Sequence, residues 1–371
     1  MPVPHPPLRL AVALDAPQLP PRYDAAHHIA LARLAERGTL DFVTLGDRFG
    51  GAGPDALAVL ARIAPATERI GLVPTVTTTH TEPFHVSTAV ATLDWVSRGR
   101  AGWTVEASTT ETEAALVGRP HALASAPTGR EPRPTAPAAA VWSEAGEVAD
   151  VVGLLWDSWE DDAEIRDRAT GRFVDRAKLH HVDFTGRTFA VRGPSIVPRP
   201  PQGRPVTVVD ATGETGGPDG ADGAPVGAGP EPGGARWEVA AARADVALVR
   251  AEDPQTAGTA RTALHARARA LGRDPDRLLV LASLPVELHS PADAAGLADL
   301  LGDWFAQGAA DGFHLRPADP GRDLTRFVET TVPLLRERGL FRRSYEGTTL
   351  REHLGLPRPA STYALAREAA R

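Results

Sequence analysis

The sequence predicts an α/β fold of one kind, a (β/α)8 TIM barrel in a single domain spanning 1–371, on three observations. Short apolar runs of β type alternate with amphipathic Ala/Leu-rich segments of helical length, the pattern of a parallel sheet covered by helices. Eight such repeats follow one another. The 371 residues, 42% of them hydrophobic, are enough for one large core of this architecture.

The predicted strands are Leu8–Leu14, Asp41–Leu45, Ile70–Pro74, Ala101–Ala107, Val206–Val209, Asp245–Val249, Leu278–Ser283 and Gly312–Leu315. Between them lie predicted helices over Ala25–Arg37, Asp55–Ala64, Phe84–Ser97, Glu144–Trp159, Thr256–Leu271, Pro291–Gln307 and Asp323–Arg338. Pro54–Asp55 has the chemistry of a helix start, and Gly38, Gly308 and Gly339 that of helix stops. Two segments break the alternation. The Pro/Ala-rich stretch 120–140 and the Gly/Pro/Asp-rich stretch 212–234 read as flexible insertions after barrel strands, on the ligand-binding side of such a fold. Leu179–Arg192 alternates apolar and polar residues around Thr185–Gly186 and reads as an inserted β-hairpin. The segment 339–371 reads as a C-terminal clamp and tail, with Arg338–Gly355 holding the barrel or contacting a second subunit.

Composition narrows the function classes. A net charge of −7 with no basic block gives nucleic acid or an anionic membrane nothing to bind. The absence of Cys excludes disulfides, thiolate metal sites and thiol catalysis. Met1–Pro7 lacks a basic start and an apolar signal core, and no stretch of about 18 apolar residues follows, so the expected location is cytoplasmic. His180–His181 with Asp183 is rejected as a metal site, because adjacent strand residues point to opposite faces. Gly213–Gly217 is rejected as a nucleotide loop for want of a Gly-Lys-Ser/Thr ending.

A series of phrases in fixed order carries the functional signal: Asp41–Asp47 (DFVTLGD), Arg69–Val73, Thr75–His85 (TVTTTHTEPFH), Ala91–Trp103, Leu155–Asp162 (LWDSWEDD), Leu179–Arg204, Asp311–Leu315 (DGFHL) and Val332–Leu356. Together they resemble the bacterial-luciferase-like flavin-dependent monooxygenase family, in the branch with the nitrilotriacetate and dibenzothiophene-sulfone enzymes. The resemblance spans roughly 8–210 and 240–358. It implies a TIM barrel that takes reduced FMN from a separate flavin reductase and oxygenates a small-molecule organic substrate. Some members use the deazaflavin F420 instead. It also implies an assembly, most simply a homodimer.

The same resemblance points to site residues at strand ends. Asp47 matches an aspartate beside the flavin; the alternative is an ion pair with Arg48 or Arg100. Thr75 best matches a family threonine on the ring's polar edge, while Thr77, Thr78 and Thr79 read as β-branched strand residues. His80 and His85 are mouth candidates, a neutral imidazole being able to donate to a substrate oxygen. Thr104 stands where relatives carry Asn, and Ser108 matches a flavin contact; His80 and Thr104 are the candidate catalytic residues. Glu106 reads either as a general base or as a solvated carboxylate at the rim.

Departures gather at the phosphate. The His/Tyr element that family members place before the helix near Glu144 is missing, and the Gln-Ala-Gly-x-Ser stretch is replaced by Asp210-Ala211-Thr212-Gly213-Glu214. Thr212 and Gly213 remain as phosphate-binding candidates. A Glu214 carboxylate ~4 Å from a phosphate opposes it by about 4 kcal/mol at an effective dielectric of ~20. Arg236 or Arg192 would supply the counter-charge. Two further readings follow: an F420-dependent oxidoreductase, and a cofactor-less degenerate barrel acting as a binding or partner protein.

Overall fold

The computed structural model describes residues 7–16, 23–118, 138–212 and 234–370. Eight parallel strands close into a barrel: β1 (Arg9–Ala13), β2 (Phe42–Leu45), β3 (Gly71–Thr77), β4 (Gly102–Glu106), β5 (Val206–Asp210), β6 (Val246–Arg250), β7 (Leu279–Val286) and β8 (Gly312–Pro317). Each strand pairs with its neighbours in sequence, and β8 returns to β1 with Leu10 opposite Phe313. Strands that bury both faces need apolar residues at consecutive positions, which is why FVTL and VALVR read as strands without strict alternation.

Side-chain parity divides the strands into two sets. Val43, Ala282, Phe313 and Leu315 pack outward in one core cluster, and Trp103, Val105, Val209 and Val249 in another, against the surrounding helices. Ala11, Phe42, Val73, Val206, Val208, Val246, Leu248, Leu279 and Leu281 fill the barrel interior. Leu350, Leu354 and Leu356 join this inner cluster at the amino ends of the strands. Gly71 makes room for that plug, since a Cβ there would stand 2.6 Å from Leu350 Cδ1.

The C-terminal segment therefore clamps the end of the barrel opposite the strand carboxyl ends. Arg342 pairs with buried Asp41 at 2.9 Å, and Arg351 pairs with Asp245 at 2.7 Å. In the acidic run Glu160–Asp162, Asp161 and Asp162 form an exposed turn, while Glu160 and Asp161 also tie down this segment. Glu160 is buried and pairs with His180 (2.9 Å) and Arg367 (2.6 Å), while Asp161 is shared between Arg199 and Arg358. His181 faces elsewhere, its Nδ1 2.9 Å from the Gly193 carbonyl.

Most predicted elements recur within a residue or two, and Ala25–Arg37 recurs unchanged. The differences have local causes. The helix expected from Glu144 extends back to Ala138, since alanine has the highest helix propensity and Val141 and Trp142 already lie on the buried face. A helix at Ala235–Arg243, directly before β6, was not predicted; it is amphipathic, burying Trp237, Val239, Ala240 and Ala241, but spans only nine residues beside the Gly-rich stretch. The last barrel helix is interrupted by a π-turn at Phe327–Thr331, where Pro333 cannot supply its N–H to the ladder. The Leu179–Arg192 hairpin is present as a short pairing of Phe184–Thr185 with Ala190–Val191, and a second hairpin, Glu164–Asp167 with Arg172–Val174, precedes it. Of the two expected insertions, all but 138–140, Thr212 and Gly234 lie outside the described residues. No helix among the described residues is long and apolar enough to cross a membrane.

Candidate active site

Toward the carboxyl ends of the strands the inward positions change from apolar to polar. By the parity set out above, Thr44, Thr75, Thr104, Asp210, Ser283 and His314 point inward one layer above the apolar fill, and Thr77, Glu106, Arg250 and Arg316 lie at the rim. Thr75 stands opposite Thr104 in register, and Thr104 opposite Val208. The result is a dry apolar floor beneath a ring of hydroxyls.

His314 sits within that ring. Its Nε2 is 2.9 Å from Thr44 Oγ1 and its Nδ1 3.1 Å from Ser283 Oγ, and the side chain is buried. Burial pulls the imidazole down to about 4, against the raising field of Asp210 and helped by the positive Arg316. At neutral pH the ring is uncharged, so one nitrogen donates and the other accepts, and the two hydroxyls take the complementary roles. His314 lies within the DGFHL phrase, and its signal in the sequence is a histidine at an inward position of an otherwise apolar strand.

That depressed pKa has a sign. At His314 the folded state binds fewer protons than the unfolded state between about pH 4 and 6.5, so this residue's contribution to stability is full above the window and falls as pH drops through it. For His314 the loss is on the order of 3 kcal/mol. His353, also lowered to about 4 by burial, acts in the same direction. Unfolding titrations between pH 7 and 4 should therefore show a shallower acid slope for His314→Gln than for the native chain; identical slopes would contradict the assignment.

The predicted site residues are brought to this end in different degrees. Thr75 is half-buried, Thr104 is buried, and both face the interior. Asp47 lies just beyond β2, half-buried, and its Oδ2 accepts the Ala56 N–H (3.0 Å) at the start of the next helix. Burial raises its pKa, with the Asp55 charge adding to the rise and the Ala56 bond opposing it. The alternative pairing with Arg100 is excluded: that guanidinium is buried among the Ala64, Thr67, Ile70 and Ser97 carbonyls at the opposite end. His80 sits in the turn after β3 with φ +66°, its ring 6.3 Å from that of Phe49.

Thr78 and Thr79 are structural. Thr78 donates through N and Oγ1 to the Glu106 carbonyl, and Thr79 Oγ1 accepts the Ser108 N–H at 3.0 Å, tying the ends of β3 and β4 together. Ser108 is buried and its hydroxyl donates to Glu113 Oε2 (2.8 Å). Thr212 folds back on Asp210, donating to Oδ1 from N (2.8 Å) and from Oγ1 (2.5 Å). Gly213 and Glu214 lie outside the described residues. His85 was expected at the mouth, but it is exposed on the outer helix layer, beside a groove with Leu57 and Thr88. Glu106 is neither a free base nor a solvated carboxylate. Its Oε1 accepts the Ala107 N–H (2.9 Å), and its Oε2 accepts from Arg236 Nη2 (2.7 Å). Arg192, the other counter-charge candidate, is exposed on the hairpin beside Asp183.

A closed parallel barrel with an apolar floor and a polar carboxyl rim defines a small-molecule site of the enzyme-barrel class. The family described as luciferase-like monooxygenase matches residues 8–326, and the chain belongs to that family. It is 29% identical to N-acetyl-S-(2-succino)cysteine monooxygenase of Bacillus subtilis (strain 168), covering 90% of each chain. It is equally 29% identical to nitrilotriacetate monooxygenase component A of Aminobacter aminovorans, covering 92% of each. Among solved structures, a riboflavin lyase with modified FMN and riboflavin shares the fold at a TM-score of 0.74 and 22% identity, over 96% of this chain and 97% of that one.

Proposed function

We propose that this chain is the oxygenase component of a two-component flavin monooxygenase, taking reduced FMN from a separate reductase to oxygenate a small organic substrate. Membership of the monooxygenase family across most of the chain carries this reading. The name "component A" of one relative supports division of labour with a reductase, and the modified FMN held by a riboflavin lyase of the same fold supports the flavin.

The residues at the mouth fit such a group. Thr75, Thr77 and Thr104 offer hydroxyls that both donate and accept, as the polar edge of an isoalloxazine requires. The apolar interior residues Val73, Val208, Leu248 and Leu281 would exclude water from this end of the barrel. Arg236 Nε is buried with no hydrogen-bond partner among the described residues, a donor suited to a phosphate oxygen. Bound reduced FMN would supply the electrons that activate oxygen. The chain's own part is to orient substrate against the ring: His80 and Thr104 are the polar groups offered to it, with the neutral His314 ring oriented by Thr44 and Ser283.

Side-by-side anaerobic titration with reduced FMN and with reduced F420 tests this directly. Saturable binding of FMN in the micromolar range with none for F420 is the expected result. Binding of F420 alone would replace the reading with hydride transfer, and binding of neither would leave a barrel that acts without a flavin.

A further inference from the structure

We infer that Arg236 is a phosphate grip and that Glu106 holds it in place as a carboxylate stand-in which the FMN phosphate displaces; this rests on the flavin reading. Arg236 is the second residue of the helix Ala235–Arg243 and Glu106 ends β4 on the inward side, so the pair ties this helix to the carboxyl rim. The contact is 2.7 Å, with both side chains largely shielded (14% and 26% exposed). Trp142 lies under the guanidinium at 4.5 Å and fixes its plane.

The pairing is incomplete in an informative way. A guanidinium and a carboxylate satisfy each other best fork to fork, through two parallel N–H···O bonds. Glu106 gives Arg236 only Oε2, because Oε1 is drawn to the Ala107 amide. Arg236 Nε is left buried without a partner among the described residues. A phosphate monoester has three oxygens on one face and would fill Nη2 and Nε together. Once the phosphate is bound, Glu106 becomes a like charge beside it, so the carboxylate must swing out and weakens FMN binding by competition. The family's His/Tyr phosphate element is missing from this chain, and the Arg236 fork supplies its own donor set in that role.

Anaerobic calorimetry with reduced FMN, reduced riboflavin and inorganic phosphate separates the phosphate from the ring. The native chain should prefer FMN to riboflavin by about tenfold, Arg236→Gln should lose that preference, and Glu106→Gln should raise it about tenfold again. Riboflavin affinity should stay unchanged in both variants. Inorganic phosphate should bind Glu106→Gln more tightly than the native chain and should compete with FMN but not with riboflavin. Circular dichroism and Tm establish that each variant is folded. An unaltered FMN-to-riboflavin ratio in folded Arg236→Gln would overturn the grip while leaving the flavin reading intact. Should neither flavin bind the native chain, both fall together.

Discussion

Replacing Arg342 by methionine should lower stability by about 3–5 kcal/mol, the usual cost of stranding one member of a buried ion pair. Asp41 is fully buried at the start of β2. Its Oδ2 accepts the Leu10 N–H at 2.7 Å, and its Oδ1 meets Arg342 Nη1 at 2.9 Å. Burial pushes the Asp41 carboxyl up, and the Arg342 charge is the largest influence opposing that rise. Arg342 also donates from Nε and Nη2 to the Thr39 carbonyl (2.9 and 2.8 Å), so its loss leaves an acceptor as well as a charge. Thermal unfolding should show Tm falling by roughly 4–6 °C, and a shift under about 2 °C would refute the role of the pair. The double variant Asp41→Asn, Arg342→Met should recover part of the loss, because it removes the uncompensated charge.

Thr75→Trp should abolish flavin binding, weakening it more than ~100-fold, while the barrel remains folded. Thr75 is half-buried on the inner face of β3, opposite Thr104. An indole there would occupy the slot proposed for the ring. Thr75→Val separates shape from chemistry: it removes one hydroxyl and should cost about 1 kcal/mol, or near fivefold in affinity. Native affinity in folded Thr75→Trp would move the ring away from β3.

The barrel was legible because doubly buried parallel strands and amphipathic helices write their periods into the local sequence. Interior polarity was partly legible. Thr75 and Thr104 could be placed at strand ends, and parity then turns them inward. His85 was misplaced because its neighbours Val86, Ser87 and Val90 take the buried face of their helix and turn it outward. Long-range pairings left no local trace. Glu160–Asp162 looks like a solvated turn until Arg358 and Arg367 arrive from the C-terminus, and Glu106 looks free until Arg236 is folded beside it. Asp47 could be placed just after β2 from the sequence, but its bond to the Ala56 amide depends on how the β2 loop meets the following helix, which spacing alone does not fix.

The most direct test of the central claim is a crystal structure of the chain grown anaerobically with saturating reduced FMN. The expected density is a flat three-ring ligand at the carboxyl rim, its polar edge on Thr75 and Thr104 and its phosphate on the Arg236 fork, with Glu106 turned away. A rim packed solid with side chains, or a flavin seated on the outer helices, would contradict it.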